Sequence, residues 1–418
     1  MSAYPNPPVR SLGYDYRIAP VGGDVLGGDV ARGDLVLPVV VLEESALAHN
    51  VRVMADYCRD VGVSIAPHGK THMSPQLAHR QLDAGAWAIT VANVAQARVY
   101  HAFGVERLLI ANQVVDEQAL RLLSELLRAD PGLEVFCLVD STAGVQLMDR
   151  VLGAADVPRP VAVLVELGLA GGRSGCRSTP EAVAVADAVR DAGTLRLAGV
   201  EGYEGVVHGG PTPGNVATVD AFLRELRALA ETLDGGGRFA DRAEIVVTAG
   251  GSAYFDRVAE QLAPFPGLSK PVRTVIRSGS YLTHDHGSYE LVSPFGTRLA
   301  DRPRLRPAGV LWARVSSVPE PGLAIAGFGK RDAPYDLGLP VPLAVAGDDG
   351  DARPLTGASV ARLNDQHAFV QLPPDSGVRV GDVMTFGMSH PCTVFDKWRL
   401  LPVVDDDGRV VQLIQTYF

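Results

Sequence analysis

Two short segments contain the side chains whose types and spacing are most suggestive of chemistry. In SIAPHGKTH, Lys70 follows an apolar run (63–67) and is flanked by His68 and His72. A lysine desolvated at such a position has a lowered pKa and can form a Schiff base with an aldehyde cofactor. The structural alternative is a solvated loop lysine in a polar turn. In FGMSHPCTVFDKW, His390 and Cys392 are separated by one residue. On a strand, residues i and i+2 face the same way, so an imidazole and a thiolate could reach one ion together. Mixed nitrogen and sulfur donors suit Zn²⁺, and two protein ligands leave open positions for water or substrate. A motif this short also arises by coincidence.

Two glycine-bearing turns, TAGGSAY (248–254) and IRSGSY (276–281), follow apolar runs. Glycine lets a backbone approach an anion without an intervening Cβ, and Ser or Thr hydroxyls add donors, so late loops of this kind can cradle a phosphate. Two further polar clusters read as structural. THDHGSYE (283–290), with His284 and His286, is taken as polar lining of the site mouth rather than a second metal site. LNDQHA (363–368), with Asp365 and His367, is explained adequately by a structural turn.

The elements that must position these residues alternate. Short β-branched runs at 37–42, 63–67, 87–93, 107–112, 135–140, 161–167, 197–203, 244–250 and 274–281 are separated by stretches with apolar residues at three- and four-residue spacing, such as ESALAHNVRVMADYCRDVG. This pattern specifies successive βα units around a parallel sheet. Nine candidate strands is one more than an eight-stranded barrel needs, so either the first or the last lies outside it. In such a barrel the loops after the strands form the catalytic face, where Lys70 falls. Past about residue 290 short strands separated by Pro, Gly and Asp turns replace the helical periodicity. The expected fold is therefore α/β, a parallel (β/α)8 barrel over 35–290, with an all-β C-terminal domain over 291–418 that carries the metal pair. The Gly- and Pro-rich segment 1–34 is expected to pack on the β domain.

Composition limits the partners. The 418 residues carry a formal net charge of -10, which argues against nucleic acid or an anionic membrane surface but is compatible with a local basic pocket for one phosphate. With no long apolar run, a cytoplasmic protein is expected. Four cysteines, Cys58, Cys137, Cys176 and Cys392, are too sparse for a disulfide framework; the first three read as small buried hydrophobes.

With these segments in place, the chain resembles the fold-type III pyridoxal-phosphate enzymes over nearly its whole length, in the branch containing D-threonine aldolase and D-serine dehydratase. PHGKTHMSPQLAHRQLDAGAWAITVANVAQA is similar to that branch's Pro-His-x-Lys-Thr-His segment, which implies that Lys70 carries pyridoxal 5'-phosphate, with His68 beside it. VELGLAGGRSGCR resembles the family's acidic strand end and Arg-x-Gly, implying a contact from Arg173 to the cofactor's ring or phenolic oxygen. LAGVEGY matches a family tyrosine beside the cofactor, here Tyr203. The two glycine turns resemble the family's phosphate segments, which nominates Thr248, Gly250, Gly251, Ser278, Gly279 and Tyr281. His390-x-Cys392 matches the zinc pair of the D-serine dehydratase-like members, whereas the aldolases have His-x-Asp.

The resemblance implies a zinc-dependent (or other divalent metal-dependent) dehydratase. Such an enzyme turns a D-3-hydroxy amino acid, D-serine, D-threonine or D-threo-3-hydroxyaspartate, into a 2-oxo acid and ammonia. A retro-aldol cleavage to glycine and an aldehyde is the runner-up. A racemase, which needs a second acid–base group such as a tyrosine from YELVS or QTYF, and a non-catalytic cofactor carrier are further alternatives. The family's habit of pairing subunits implies a homodimer.

Overall fold

A computed structural model of the protein describes residues 18–20, 23–347 and 352–418. Part of the expected N-terminal segment, 1–34, falls outside these described residues.

The first strand, β1 (Val39–Glu43), does not join the barrel. Among the described residues, eight parallel strands form the barrel sheet. They are β2 (Ser64–Ile65), β3 (Ile89–Val91), β4 (Arg107–Gln113), β5 (Glu134–Val139), β6 (Val161–Leu167), β7 (Leu195–Gly202), β8 (Ile245–Ala249) and β9 (Val272–Ile276). Neighbours follow chain order from β3 to β9, and β9 pairs with β2. The ring is completed between β2 and β3 by the Trp87 N–H donating to the Ile65 carbonyl at 2.8 Å and by a parallel bridge between His68 and Thr90. Strand β2 is short because Pro67 has no N–H to contribute to a ladder.

The inner face of the barrel is filled by Leu109, Phe136, Leu138, Leu164, Val246 and Val275, all buried. The interior is therefore a packed plug, and polar residues gather above it at the C-terminal ends of the strands. Between strands, apolar stripes on the crossover helices cover the outside; Val219, Phe222, Leu226 and Leu233 of Pro213–Gly235 are each fully buried.

The C-terminal domain contains β10 (Gly309–Glu320), β11 (Leu323–Ala326), β12 (Val341–Ala346), β13 (Ala352–Pro354), β14 (Ser359–Leu363), β15 (Ala368–Gln371), β16 (Val383–Gly387), β17 (Leu400–Val404) and β18 (Val410–Gln415). With β1 they make a ten-stranded sheet among the described residues, ordered β13-β12-β16-β10-β1-β17-β18, with β11, β15 and β14 branching from β10. Of the nine sequence candidates it is thus the first that lies outside the barrel, which corrects the expected boundary at residue 35: β1 lies between β10 and β17, and its all-apolar run is buried on both faces. Three strands not anticipated from sequence, β12, β13 and β14, lie in a stretch rich in Pro, Gly and Asp. Pro342 is accommodated at a register shift against β16. The described part of the N-terminal segment lies on this sheet, with the Gly27 N–H donating to the Val410 carbonyl and Val25, Val30 and Leu35 buried in the same core.

Candidate active site

Lys70 sits in a single turn of 3-10 helix, Gly69–Thr71, directly beyond β2. The turn is held from below. The Tyr100 hydroxyl donates to the Gly69 carbonyl at 2.7 Å, and His72 points into the core, where its Nδ1 accepts the Ser74 N–H at 3.0 Å. Burial pushes the His72 imidazole down to about 4. It therefore acts as a neutral brace for the turn rather than as a flanking charge for Lys70. The Lys70 amine projects into a cavity of about 190 Å3 that is open to solvent. Its pKa is lowered, first by desolvation among the surrounding protein atoms and then by Arg173 and Arg277, with Cys392 opposing.

His68, Arg173, Tyr203, Gly250, Gly251, Ser278 and Gly279 line the same cavity. The Arg173 guanidinium lies 5.3 Å from the centroid of the Tyr203 ring. Gly279 is required by close approach: a Cβ there would meet the His68 carbonyl oxygen at 2.5 Å, so only glycine lets this loop lie against the lysine turn. Two nominated residues lie outside the cavity. Thr248 is buried beneath it, donating its hydroxyl to the Val275 carbonyl, and Tyr281 is in the apolar core. The Gly250 and Gly251 N–H groups, expected to hold a phosphate, donate instead to the Glu204 carboxylate at 2.9 and 2.8 Å. The next donors in the two loops, the N–H groups of Ser252 and Gly279, make no backbone bond among the described residues.

Several cavity residues were not singled out from sequence. Arg277, at the end of β9, is 5 % exposed and donates to Glu201, to the Thr248 hydroxyl and to the Gly202 carbonyl. Ser252, Arg277 and Ser280 lie within the glycine-turn segments, so the signal was present but attributed to their neighbours. Asn112 also faces the cavity, as does Tyr289, which the sequence did offer in YELVS as an acid–base group and whose hydroxyl burial keeps firmly protonated.

The β domain supplies one wall. His390 and Cys392 follow β16 but are not on a strand: Cys392 opens the short helix Cys392–Phe395, so the pair is brought together by a turn instead of by strand pleating. Cys392 Sγ lies 3.5 Å from Thr71 Oγ1 and 3.7 Å from Ser280 Oγ. Burial raises the Cys392 thiol pKa, but hydrogen bonding from His390 and the two hydroxyls outweighs it and leaves the thiol lowered. Asp336, unsuspected from sequence, holds His390 Nδ1 at 2.7 Å and accepts the Thr393 hydroxyl at 2.8 Å. A carboxylate on one imidazole nitrogen is how metal-binding histidines are oriented, and here the His390 ring also hydrogen-bonds Cys392.

The remaining clusters lie elsewhere. His284 is buried and paired with Glu290 at 2.8 Å. His286 packs against Gly387, where a Cβ would meet its ring at 2.3 Å. Neither lines the mouth of the cavity. Asp365 borders an open groove on the β domain with Arg331 and Tyr335, and His367 is exposed in the adjacent turn. Tyr417 stacks on Phe103, away from the cavity. Cys58, Cys137 and Cys176 are free and buried. Among the described residues no helix is long and apolar enough to cross a membrane.

Fit to a cofactor is tested by the cavity's own unpaired atoms. His68 Nδ1 and Glu201 Oε2 are buried polar atoms without partners in the cavity wall, beside the lysine and the unbonded N–H groups. Such atoms are stabilised by a polar ring and an anion in the cavity, and pyridoxal phosphate has both. The metal test gives two donors. Among the described residues no group of three or more His, Cys, Asp or Glu can hold an ion; His390 and Cys392 offer two donors, and a metal held by them would need water or substrate to complete its shell.

A barrel lysine facing a β-domain wall is the arrangement of the fold-type III pyridoxal-phosphate enzymes. The chain belongs to that class: residues 42–294 match the alanine racemase N-terminal domain family, and residues 308–404 match a serine dehydratase domain family. It is 27% identical to a D-threonine aldolase of an Arthrobacter species over 383 residues, 88% of this chain and 89% of the relative. It is 30% identical to a D-threo-3-hydroxyaspartate dehydratase of Delftia sp. (strain HT23) over 181 residues, 42% of this chain and 45% of the relative. The crystal structure of a D-threonine aldolase from Filomicrobium marinum superposes with a TM-score of 0.79 at 25% identity, covering 94% of this chain and 97% of that one.

Proposed function

We propose that the protein is a pyridoxal-phosphate- and metal-dependent lyase of D-3-hydroxy amino acids that releases a 2-oxo acid and ammonia by α,β-elimination. The observation that carries this reading is the meeting of two domains: the Cys392 thiol contacts Thr71, the residue after Lys70. Named relatives that are aldolases and dehydratases of such substrates support the class.

A bound pyridoxal phosphate supplies an electron-accepting ring conjugated to Cα, and a divalent metal supplies a Lewis acid at the β-oxygen. The chain supplies the rest. Lys70, whose pKa is lowered in the cavity, would hold the cofactor's aldehyde carbon and would take the Cα proton of the substrate. His390 and Cys392 would hold the metal, with Asp336 fixing the imidazole. Arg173 and Tyr203 form one wall, and the β domain covers the cavity from the other side, limiting water. A homodimer belongs to the same proposal and is checked by light scattering.

Retro-aldol cleavage is the second reading, favoured by the more extensive match to a D-threonine aldolase. Cys392, where the aldolase branch resembles it with an aspartate, supports elimination. Incubation with D-threonine separates the two. 2-Oxobutanoate with ammonia, lost on adding a chelator, is expected; glycine with acetaldehyde would assign the aldolase activity instead.

A further inference from the structure

We infer that Glu204 is a positioning residue that blocks the inner half of the glycine-turn anion nest and so sets where the cofactor's phosphate is gripped. The inference rests on the cofactor reading above. Glu204 begins the turn after β7 and is 0% exposed. Its two carboxylate oxygens accept one backbone N–H each, from Gly250 at 2.9 Å and Gly251 at 2.8 Å. Consecutive N–H groups on a turn with Gly250 at φ 103° form a concave anion site. That site is already filled by an anion belonging to the protein.

Burying a carboxylate is costly and raises its pKa, and here the Gly250 and Gly251 amides and the charge of Arg277 oppose that by favouring the ionised form. Its placement makes sense through what it does to the neighbouring donors. With Gly250 and Gly251 occupied, an incoming phosphate is left the N–H groups of Ser252, Ser278, Gly279 and Ser280, which border the cavity without a backbone bond. The two loops are fixed relative to one another, because the Ser278 hydroxyl donates to the Gly251 carbonyl at 2.9 Å. Glu204 also directly follows Tyr203, on which Arg173 lies. One buried carboxylate thus locks the glycine turn and, through Ser278, the loop after β9, while its charge repels phosphate from the deeper position. Without it, the Gly250 and Gly251 N–H groups would compete for the phosphate and shift the ring relative to Lys70.

Wild-type protein provides the first test, by amide hydrogen exchange with and without pyridoxal phosphate. The Gly250 and Gly251 amides are expected to be protected in both states, and the Ser252 and Gly279 amides only with the cofactor. Protection of Gly250 and Gly251 that arises only on adding cofactor would overturn the inference. The second test titrates Glu204→Gln and Glu204→Asp with pyridoxal phosphate and with pyridoxal, which lacks the phosphate. Affinity for pyridoxal phosphate is expected to change about tenfold or more, because the freed Gly250 and Gly251 N–H groups and the lost negative charge both act on the phosphate, with pyridoxal binding nearly unchanged. Equal changes for both aldehydes, or no change, would reject the role. Wild-type protein that forms a Schiff base with neither aldehyde instead removes the cofactor reading, and this inference with it.

Discussion

Cys392 Sγ lies 3.5 Å from Thr71 Oγ1, although the two residues are 321 positions apart in the chain. A thiol of the β domain is thereby in contact with the turn that carries the barrel lysine. An ion held by Cys392 and His390 would lie close to the lysine's working space, where metal and amine would act on one molecule.

Replacement of Lys70 by alanine is expected to abolish the Schiff-base absorbance and lower turnover by at least ~10²–10⁴-fold, the contribution of a positioned proton-transfer group. Spectra and ammonia release measured on the same preparation check both effects. Unchanged turnover in Lys70→Ala would remove the entire assignment.

Asp336→Asn keeps the shape beside His390 but removes the carboxylate that orients its ring. Metal affinity is expected to fall ~10–100-fold, as for other partners of a ligating imidazole. Competition with a metal indicator measures this independently of activity. Cys392→Ser should lose more, since a hydroxyl replaces the soft donor. Equal metal affinity in all three proteins would dissociate this pair from any ion.

Removal of the Arg277 guanidinium leaves the Glu201 carboxyl buried without its partner. Arg277→Met is expected to cost about 3–5 kcal/mol in denaturant unfolding of the cofactor-free protein. The double variant Arg277→Met/Glu201→Gln should recover part of that loss, giving a coupling energy in a double-mutant cycle. Strict additivity would show that the pair contributes no interaction energy.

Acid should destabilise the protein through His72. Its folded pKa of about 4 lies below the ordinary histidine value of 6.5, so between these limits the unfolded chain binds the proton and the folded one does not. Stability contributed by the neutral imidazole is present above pH ~6.5 and is lost as pH falls towards ~4, by up to about 3 kcal/mol. His68 and His286 shift in the same direction. His72→Gln should flatten the slope of unfolding free energy against pH in this window, and an unchanged slope would place the effect elsewhere.

The barrel was legible because its signals are local. Alternating β-branched runs and helical stripes recur at fixed periods whatever the chain does at long range. Lys70 stood out for the same reason, since a lysine just after an apolar strand is a pattern within a few residues. The strand at 39–43 could not be placed by such signals, because a run as apolar as Val39 to Leu42 suits a barrel and the centre of a mixed sheet equally. Strand β12 was hidden by Pro342, which reads as a turn until its register shift is seen.

For the site itself, the sequence determined which chemical groups the chain owns: an amine, an imidazole–thiol pair, and glycine turns suited to an anion. Which of them meet was decided only by the tertiary structure. Sequence could not reveal that Asp336 holds His390 or that Glu204 fills the donors of Gly250 and Gly251. Hydrogen bonds between residues 46 or 54 positions apart leave no periodic trace, and they exist because folding brings distant backbone and side chains within 3 Å of each other. The same long-range packing turned His72 into the core and placed Tyr281 out of the cavity's reach, although both lie in segments that spacing alone marks as functional.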